Sequence, residues 1–225
     1  MKKMMCRIKK IGLLLIFFSY GSLAFSQQES KAKELLDEVS MKMASYENIQ
    51  LEFSTSLVNE EAGINENDEL PNFGKIILKG EKYNLNFLGN SFVFDGNQLF
   101  IINHEDKEIS VNDDYLNEDE GFIYPSKLLT FYENGYNYSM GNSDIKNGKK
   151  IQYVELIPID SNSEIVKVEL GIDVKTKHIY QLIQLGANET KTILTIRQFK
   201  NNLNITDGLF QLDREAYEKQ GYLID

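Results

Sequence analysis

From Ile49 onward the sequence is built on a period of two, broken at short intervals by turn residues, and this pattern leaves few folds open. Ile49, Leu51 and Phe53 alternate with Gln50, Glu52 and Ser54, as in a strand with one buried face. The same alternation returns in Gly74–Lys79, Lys82–Leu88, Ser91–Phe94, Gln98–Asn103 and Lys107–Val111. It resumes in Tyr136–Met140, Ile151–Pro158, Val166–Asp173, Ile179–Gly186 and Thr190–Phe199. Gly89-Asn90, Asp95-Gly96 and Asn147-Gly148 are turn dipeptides between neighbouring segments. Sequential hairpins of this kind predict a large, curved antiparallel sheet. Phe210–Leu212 is expected to add a last short strand.

Two segments break the period. Ala32, Leu35, Leu36, Val39 and Met43 recur at helical spacing, with Ser30 placed to cap the start. Pro125 suits the first turn of a short helix over Pro125–Tyr132, whose apolar members are Leu128, Leu129, Phe131 and Tyr132. No repeat, low-complexity tract or linker divides the chain. About ten strands and two helices therefore form one domain over residues 27–225.

Residues 1–26 read as a cleavable secretory signal peptide. Lys2, Lys3, Arg7, Lys9 and Lys10 precede an apolar run from Ile11 to Phe18. Ala24 and Ser26 then stand at −3 and −1 of a cleavage site before Gln27. The single cysteine, Cys6, lies in this leader, so the exported domain is expected to carry neither a disulfide nor a lipid anchor. The leader holds five of the 24 basic residues and no acidic one, which leaves 19 against 34 and a net charge of −15. That balance argues against nucleic acid and anionic membrane surfaces as partners. The expected location is the periplasm.

Catalytic and metal patterns are thin. The chain has no G-x-S-x-G elbow, P-loop or G-x-G-x-x-G. His104 and His178 each stand beside a turn and read as solvated loop residues rather than ligands or bases. The acidic run from Asp113 to Glu120 lacks the spacing of a calcium loop and reads as solvated. No metal, no cofactor and no enzymatic activity are expected, and a hydrolase ranks last. The pronounced signal is apolar. Tyr83, Leu85 and Phe87 share one strand face, Phe92 and Phe94 another, and Leu99 and Ile101 stand opposite Phe100 and Ile102. Patterning alone favours an ordinary filled core over a half-barrel closed by helices around an apolar cavity.

Specific segments shift that balance. NIQLEFSTS (Asn48–Ser56) after the first helix resembles the first strand of LolA, the periplasmic outer-membrane lipoprotein carrier family. GKIILKGEKYNLNF (Gly74–Phe87) resembles the family's G-x-L-x-x-K-R-P-x-x-F-x-W segment, and FDGNQLFI (Phe94–Ile101) its S-D-G-x-x-L-W-x-Y hairpin. PSKLL (Pro125–Leu129) matches the helix that follows, and VELIP (Val154–Pro158) and Val168–Asp173 the next strands. The resemblance implies an incomplete antiparallel β-barrel, mainly β with a few helices, closed by a helical lid. The implied cargo is lipoprotein acyl chains, received by a monomer from an inner-membrane lipoprotein-releasing ABC transporter and delivered to an outer-membrane acceptor. It implies a cavity lined by Phe53, Tyr83, Leu85, Phe87, Phe92, Phe94, Leu99 and Ile101, under a lid carrying Leu35, Val39, Leu128, Leu129 and Phe131. The family's latch arginine is matched by Lys79, which keeps the charge without the planar fork, or, one residue on, by Gly80. The alternative is a module of the same fold that binds a glycolipid or a regulatory partner.

Overall fold

The computed structural model describes residues 29–65, 68, 70–112 and 127–225. The leader, Pro125 and the acidic run Asp113–Glu120 lie outside the described residues. Helix α1 spans residues 29–44. Six strands follow, β1 (Ile49–Val58), β2 (Asn72–Lys79), β3 (Lys82–Phe87), β4 (Asn90–Phe94), β5 (Leu99–Asn103) and β6 (Glu108–Asn112). Five more are β7 (Tyr136–Lys146), β8 (Lys149–Pro158), β9 (Ile165–Asp173), β10 (Ile179–Gly186) and β11 (Lys191–Asn201). A short helix α2 (Arg214–Lys219) and strand β12 (Leu223–Ile224) complete the chain.

Among the described residues, twelve strands form one sheet in the order β12-β6-β5-β4-β3-β2-β1-β11-β10-β9-β8-β7. It consists of two meanders, β1–β6 and β7–β11, each made of adjacent antiparallel hairpins. They are joined where β1 pairs with β11 from Ile49↔Asn201 to Val58↔Lys191. The hairpins follow from local turn chemistry. Asn147 and Gly148 both take positive φ, at 50° and 75°, as the two-residue turn between β7 and β8 requires. The β1–β11 seam has no local signal; it closes a long loop and is held by burial on its inner face. The sheet stays open between β7 and β12, an antiparallel half-barrel.

Helix α1 lies on the concave face. Ala32, Leu35, Leu36, Val39 and Met43 are buried in one cluster with Leu51, Val154, Leu156, Val168, Leu170 and Ile172. Full burial of such a side chain contributes about 1.5–3 kcal/mol, so the apolar stripe supplies most of the docking energy of the helix. Ser30 lies within the helix rather than capping it.

The C-terminal segment covers the opposite face. Val93, Phe100, Ile102 and Ile109 point outward and pack with Leu212, Tyr217, Tyr222 and Ile224. This explains why β5, LFIIN, is apolar on both faces. Phe210 is not in a strand. It ends a 3-10 turn, Asp207–Phe210, and is fully buried. The expected helix Pro125–Tyr132 is also corrected: its described part, 127–132, is turn and 3-10 structure leading into Phe131–Glu133. Thr130 makes no side-chain capping bond there. Tyr132 is buried, and Phe131 packs edge-on against Tyr132 and Tyr136.

Candidate functional site

Register arranges the inner side chains of β1–β5 in transverse rows. The first is Ile49–Leu78–Tyr83–Phe94–Leu99, and every member is buried. The second is Leu51–Ile76–Leu85–Phe92–Ile101. Leu51 and Ile76 are buried, but Leu85, Phe92 and Ile101 are only half-buried. The third is Phe53–Gly74–Phe87, with Phe53 buried and Phe87 half-buried. All eight side chains expected to line a cavity therefore share one concave face. Cover fails from the second row outward, and it leaves a contiguous apolar strip at Leu85, Phe87, Phe92 and Ile101. Rings meet within the first and third rows: Tyr83 and Phe94 are 5.6 Å apart between centroids, as are Phe53 and Phe87.

The expected lid residues belong to the same cluster. Leu35, Val39 and Leu129 are buried in it, and Leu128 and Phe131 are half-buried against it. Tyr136, Tyr138 and Met140 of β7 extend it on the other side of the half-barrel.

Three polar contacts fix α1 and its C-terminal end. Glu38 pairs with Lys177, Ser40 Oγ donates to Tyr132 OH at 3.2 Å, and Tyr46 OH bonds His178 Nε2 at 2.8 Å. Such partly exposed contacts are worth about 0–1 kcal/mol each, so they orient a helix that apolar burial holds. His178 is no solvated loop residue. Its ring stacks on Phe199 at 3.8 Å and 18°, edge-on to Tyr46. Burial pushes its pKa below the usual imidazole value, and Lys42 and Lys149 add to that against Asp173. Burial likewise pushes the Tyr132 phenol up to about 12. The Val39–Met43–Tyr46 spacing continues the helical stripe, so Tyr46 is within reach of sequence reasoning; nothing local marks His178 or Phe199.

Lys79 stands apart. Its Nζ donates to Asp207 Oδ1 at 2.6 Å, which fastens β2 to the segment after β11 rather than to α1.

Ser91 Oγ and His104 Nε2 are 2.7 Å apart, the spacing of a nucleophile and its base, but the proton order is wrong for that. Asn84 Nδ2 donates to the Leu209 carbonyl, which fixes its amide orientation. Asn84 Oδ1 then accepts from Asn86 Nδ2, and Asn86 Oδ1 accepts from the Ser91 hydroxyl. Ser91 Oγ must accept from His104 Nε2–H, and His104 Nδ1 accepts from Tyr222 OH, 2.9 Å away. The imidazole donates to Ser91 and does not activate it. The chain of bonds begins at Tyr222 and ends at Leu209, so it binds the C-terminal segment at both ends. Among the described residues, no three His, Cys, Asp or Glu side chains are grouped to hold a metal.

No protein-family model matches the sequence, and no curated protein matches it either. Among solved structures it is similar to an uncharacterized conserved protein from Thermus thermophilus. The TM-score is 0.57 at 11% identity, over 87% of this chain and 99% of that one. The likeness is one of fold. Weaker similarity is found to a putative outer membrane lipoprotein-sorting protein domain from Vibrio parahaemolyticus, with TM-score 0.45, 11% identity, 83% of this chain and 99% of that one. A LolA superfamily protein from Nitrosomonas europaea gives TM-score 0.44, 11% identity, 81% of this chain and 98% of that one.

Proposed function

We propose that the protein is a periplasmic carrier of lipoprotein acyl chains. The observation that carries this reading is the loss of cover along the second and third rows: Leu85, Phe87, Phe92 and Ile101 form an apolar strip on a concave face that α1 and the 127–133 segment only partly close. Each methylene moved from water to such a surface gains about 0.8 kcal/mol, so a chain too apolar to cross water alone can be carried. Binding is non-covalent, and the residues of the strip act by excluding water.

In this role the domain receives a lipoprotein at the inner membrane from a releasing ABC transporter, diffuses as a monomer, and gives the lipoprotein up to an outer-membrane acceptor. Opening requires α1 to shift on the sheet, and its three polar contacts are weak enough to exchange. Gentle purification followed by native mass spectrometry tests the reading. Lipid or lipoprotein mass on the wild-type chain, reduced when Phe92 and Leu85 are replaced by Glu, is the expected result. Equal mass on both chains, or none on either together with no release of lipoprotein from spheroplasts, overturns it.

A further inference from the structure

Strand direction sorts the connections between the two rims of the half-barrel. The β1–β2, β3–β4, β5–β6, β8–β9 and β10–β11 connections all fall on one rim. Exposed large apolar side chains collect there: Leu57, Leu70, Phe73, Leu88, Ile159 and Val166. So do exposed carboxylates, among them Glu60, Glu61, Asp160, Glu164 and Glu189. The opposite rim carries Lys79, Lys82, Lys149, Lys150, Lys175 and Lys177 among a smaller number of carboxylates, including Glu81, Asp95 and Asp144. The net negative charge of the chain is thus distributed unevenly between the two rims.

On the acidic rim, Val58, Val166, Leu185 and Ala187 line a groove of about 360 Å³, flanked by Glu60, Glu189 and Lys191. Its walls are tied together. Asn59 Nδ2 donates to the Asn188 carbonyl at 3.2 Å and to Thr190 Oγ1 at 2.9 Å, which holds the β1–β2 connection to the β10–β11 turn. The Ala187 N–H donates to the Glu164 carbonyl at 2.8 Å, which holds that turn to the β8–β9 connection. A groove fixed in this way loses little conformational freedom when it is filled.

We propose that this groove docks a basic segment of a partner polypeptide through an apolar anchor side chain. The anchor sits among Val58, Val166 and Leu185. Lys or Arg residues on either side of it face Glu60 and Glu189, and beyond them Glu61 and Glu164. Charge complementarity selects the occupant. An anionic bilayer surface would meet the same carboxylates and be repelled. The proposal is independent of what the concave face carries.

The test uses an amphipathic Lys/Leu peptide, its Glu/Leu counterpart and anionic phospholipid vesicles as probes of the purified protein. The Lys/Leu peptide is expected to shift amide resonances at Val58, Val166, Ala187 and Glu189, and to bind about tenfold more weakly when added salt screens the contacts. The double variant Glu60→Lys, Glu189→Lys alters exposed side chains and should keep the wild-type circular dichroism spectrum while reversing the preference to the Glu/Leu peptide. Val166→Asp should weaken Lys/Leu binding by at least about tenfold. Equal affinity for the two peptides, shifts confined to the concave face or to the lysine-bearing rim, unchanged preference in the double variant, or tighter binding to anionic vesicles each overturn the proposal. Loss of acyl-chain binding with peptide binding intact would instead count against the carrier function alone.

Discussion

The rings of Phe53 and Phe87 come together over Gly74, with centroids 5.6 Å apart. Gly74 is the register partner of both residues. A β-carbon on Gly74 would stand 2.3 Å from the Phe53 ring, closer than any real contact allows. The glycine thus lets β1 and β3 place two large rings across an intervening strand. Gly74→Ala is expected to destabilise the fold by about 1–3 kcal/mol through overpacking, read as a lower midpoint in urea. Phe53→Leu added to the same chain should recover part of that loss. If Gly74→Ala leaves the midpoint unchanged, the ring does not occupy this position.

His178 makes the docking of α1 sensitive to acid. Its pKa is depressed in the fold, so the unfolded chain binds more protons as pH falls below the ordinary imidazole value of about 6.5. The contribution is present above that value and is lost as pH drops through the lower folded one. Stability measured between neutral and mildly acid pH should therefore fall on acidification, and His178→Gln should flatten this part of the profile. A profile that keeps its slope in the variant would assign the acid response to other groups.

Tyr132 acts at the other end of the scale. Its folded pKa of about 12 lies above the ordinary 10.0. The stabilisation tied to its neutral form is complete below pH about 10 and is lost as pH rises towards about 12. Burial also raises Tyr136, Tyr153 and Tyr217, so ultraviolet titration should show several late phenols, one fewer in Tyr132→Phe, and the variant should lose less stability on alkalisation than the wild type.

The proton order of the outer-face chain of bonds is directly observable. Nitrogen NMR of labelled histidine should find neutral His104 as the Nε2–H tautomer. Ser91→Ala removes the link between His104 and Asn86 and should cost about 0.5–1.5 kcal/mol, because both partners are exposed and turn to water once the hydroxyl is gone. A neutral Nδ1–H tautomer would reverse the order and restore His104 as a candidate base for Ser91.

Sequence reasoning reaches what is locally encoded. The alternation in β1–β5 and β8–β11 and the helical stripe of α1 each announce their element, and the expected cavity side chains, with Leu35 and Val39, fall in one cluster; Leu128, Leu129 and Phe131 join it from a 3-10 and turn segment where a helix is expected. What it misses depends on distant partners. β12 is two residues long and pairs in parallel with β6, so no hairpin signal marks it. The helix α2 has six residues, an Asp213 cap and no buried side chain, too short for a helical period. Phe210 reads as strand because apolar residues flank Gln211; its place is set by a buried site, not by alternation. His178 reads as solvated because the residues that enclose it, Tyr46 and Phe199, lie far away in the sequence.

The half-buried apolar strip at Leu85, Phe87, Phe92 and Ile101, proposed to take acyl chains, can be examined without knowing the natural cargo. A fatty acid spin-labelled near its methyl end, titrated into the methyl-labelled protein, reports which side chains the chain approaches. The carrier function predicts saturable broadening of the Leu85 and Ile101 methyls, with those of Val93 and Ile109 on the outer face unaffected. It also predicts loss of the broadening in Phe92→Glu. Broadening confined to the outer face, or none at Leu85 and Ile101 at saturating fatty acid, would contradict it.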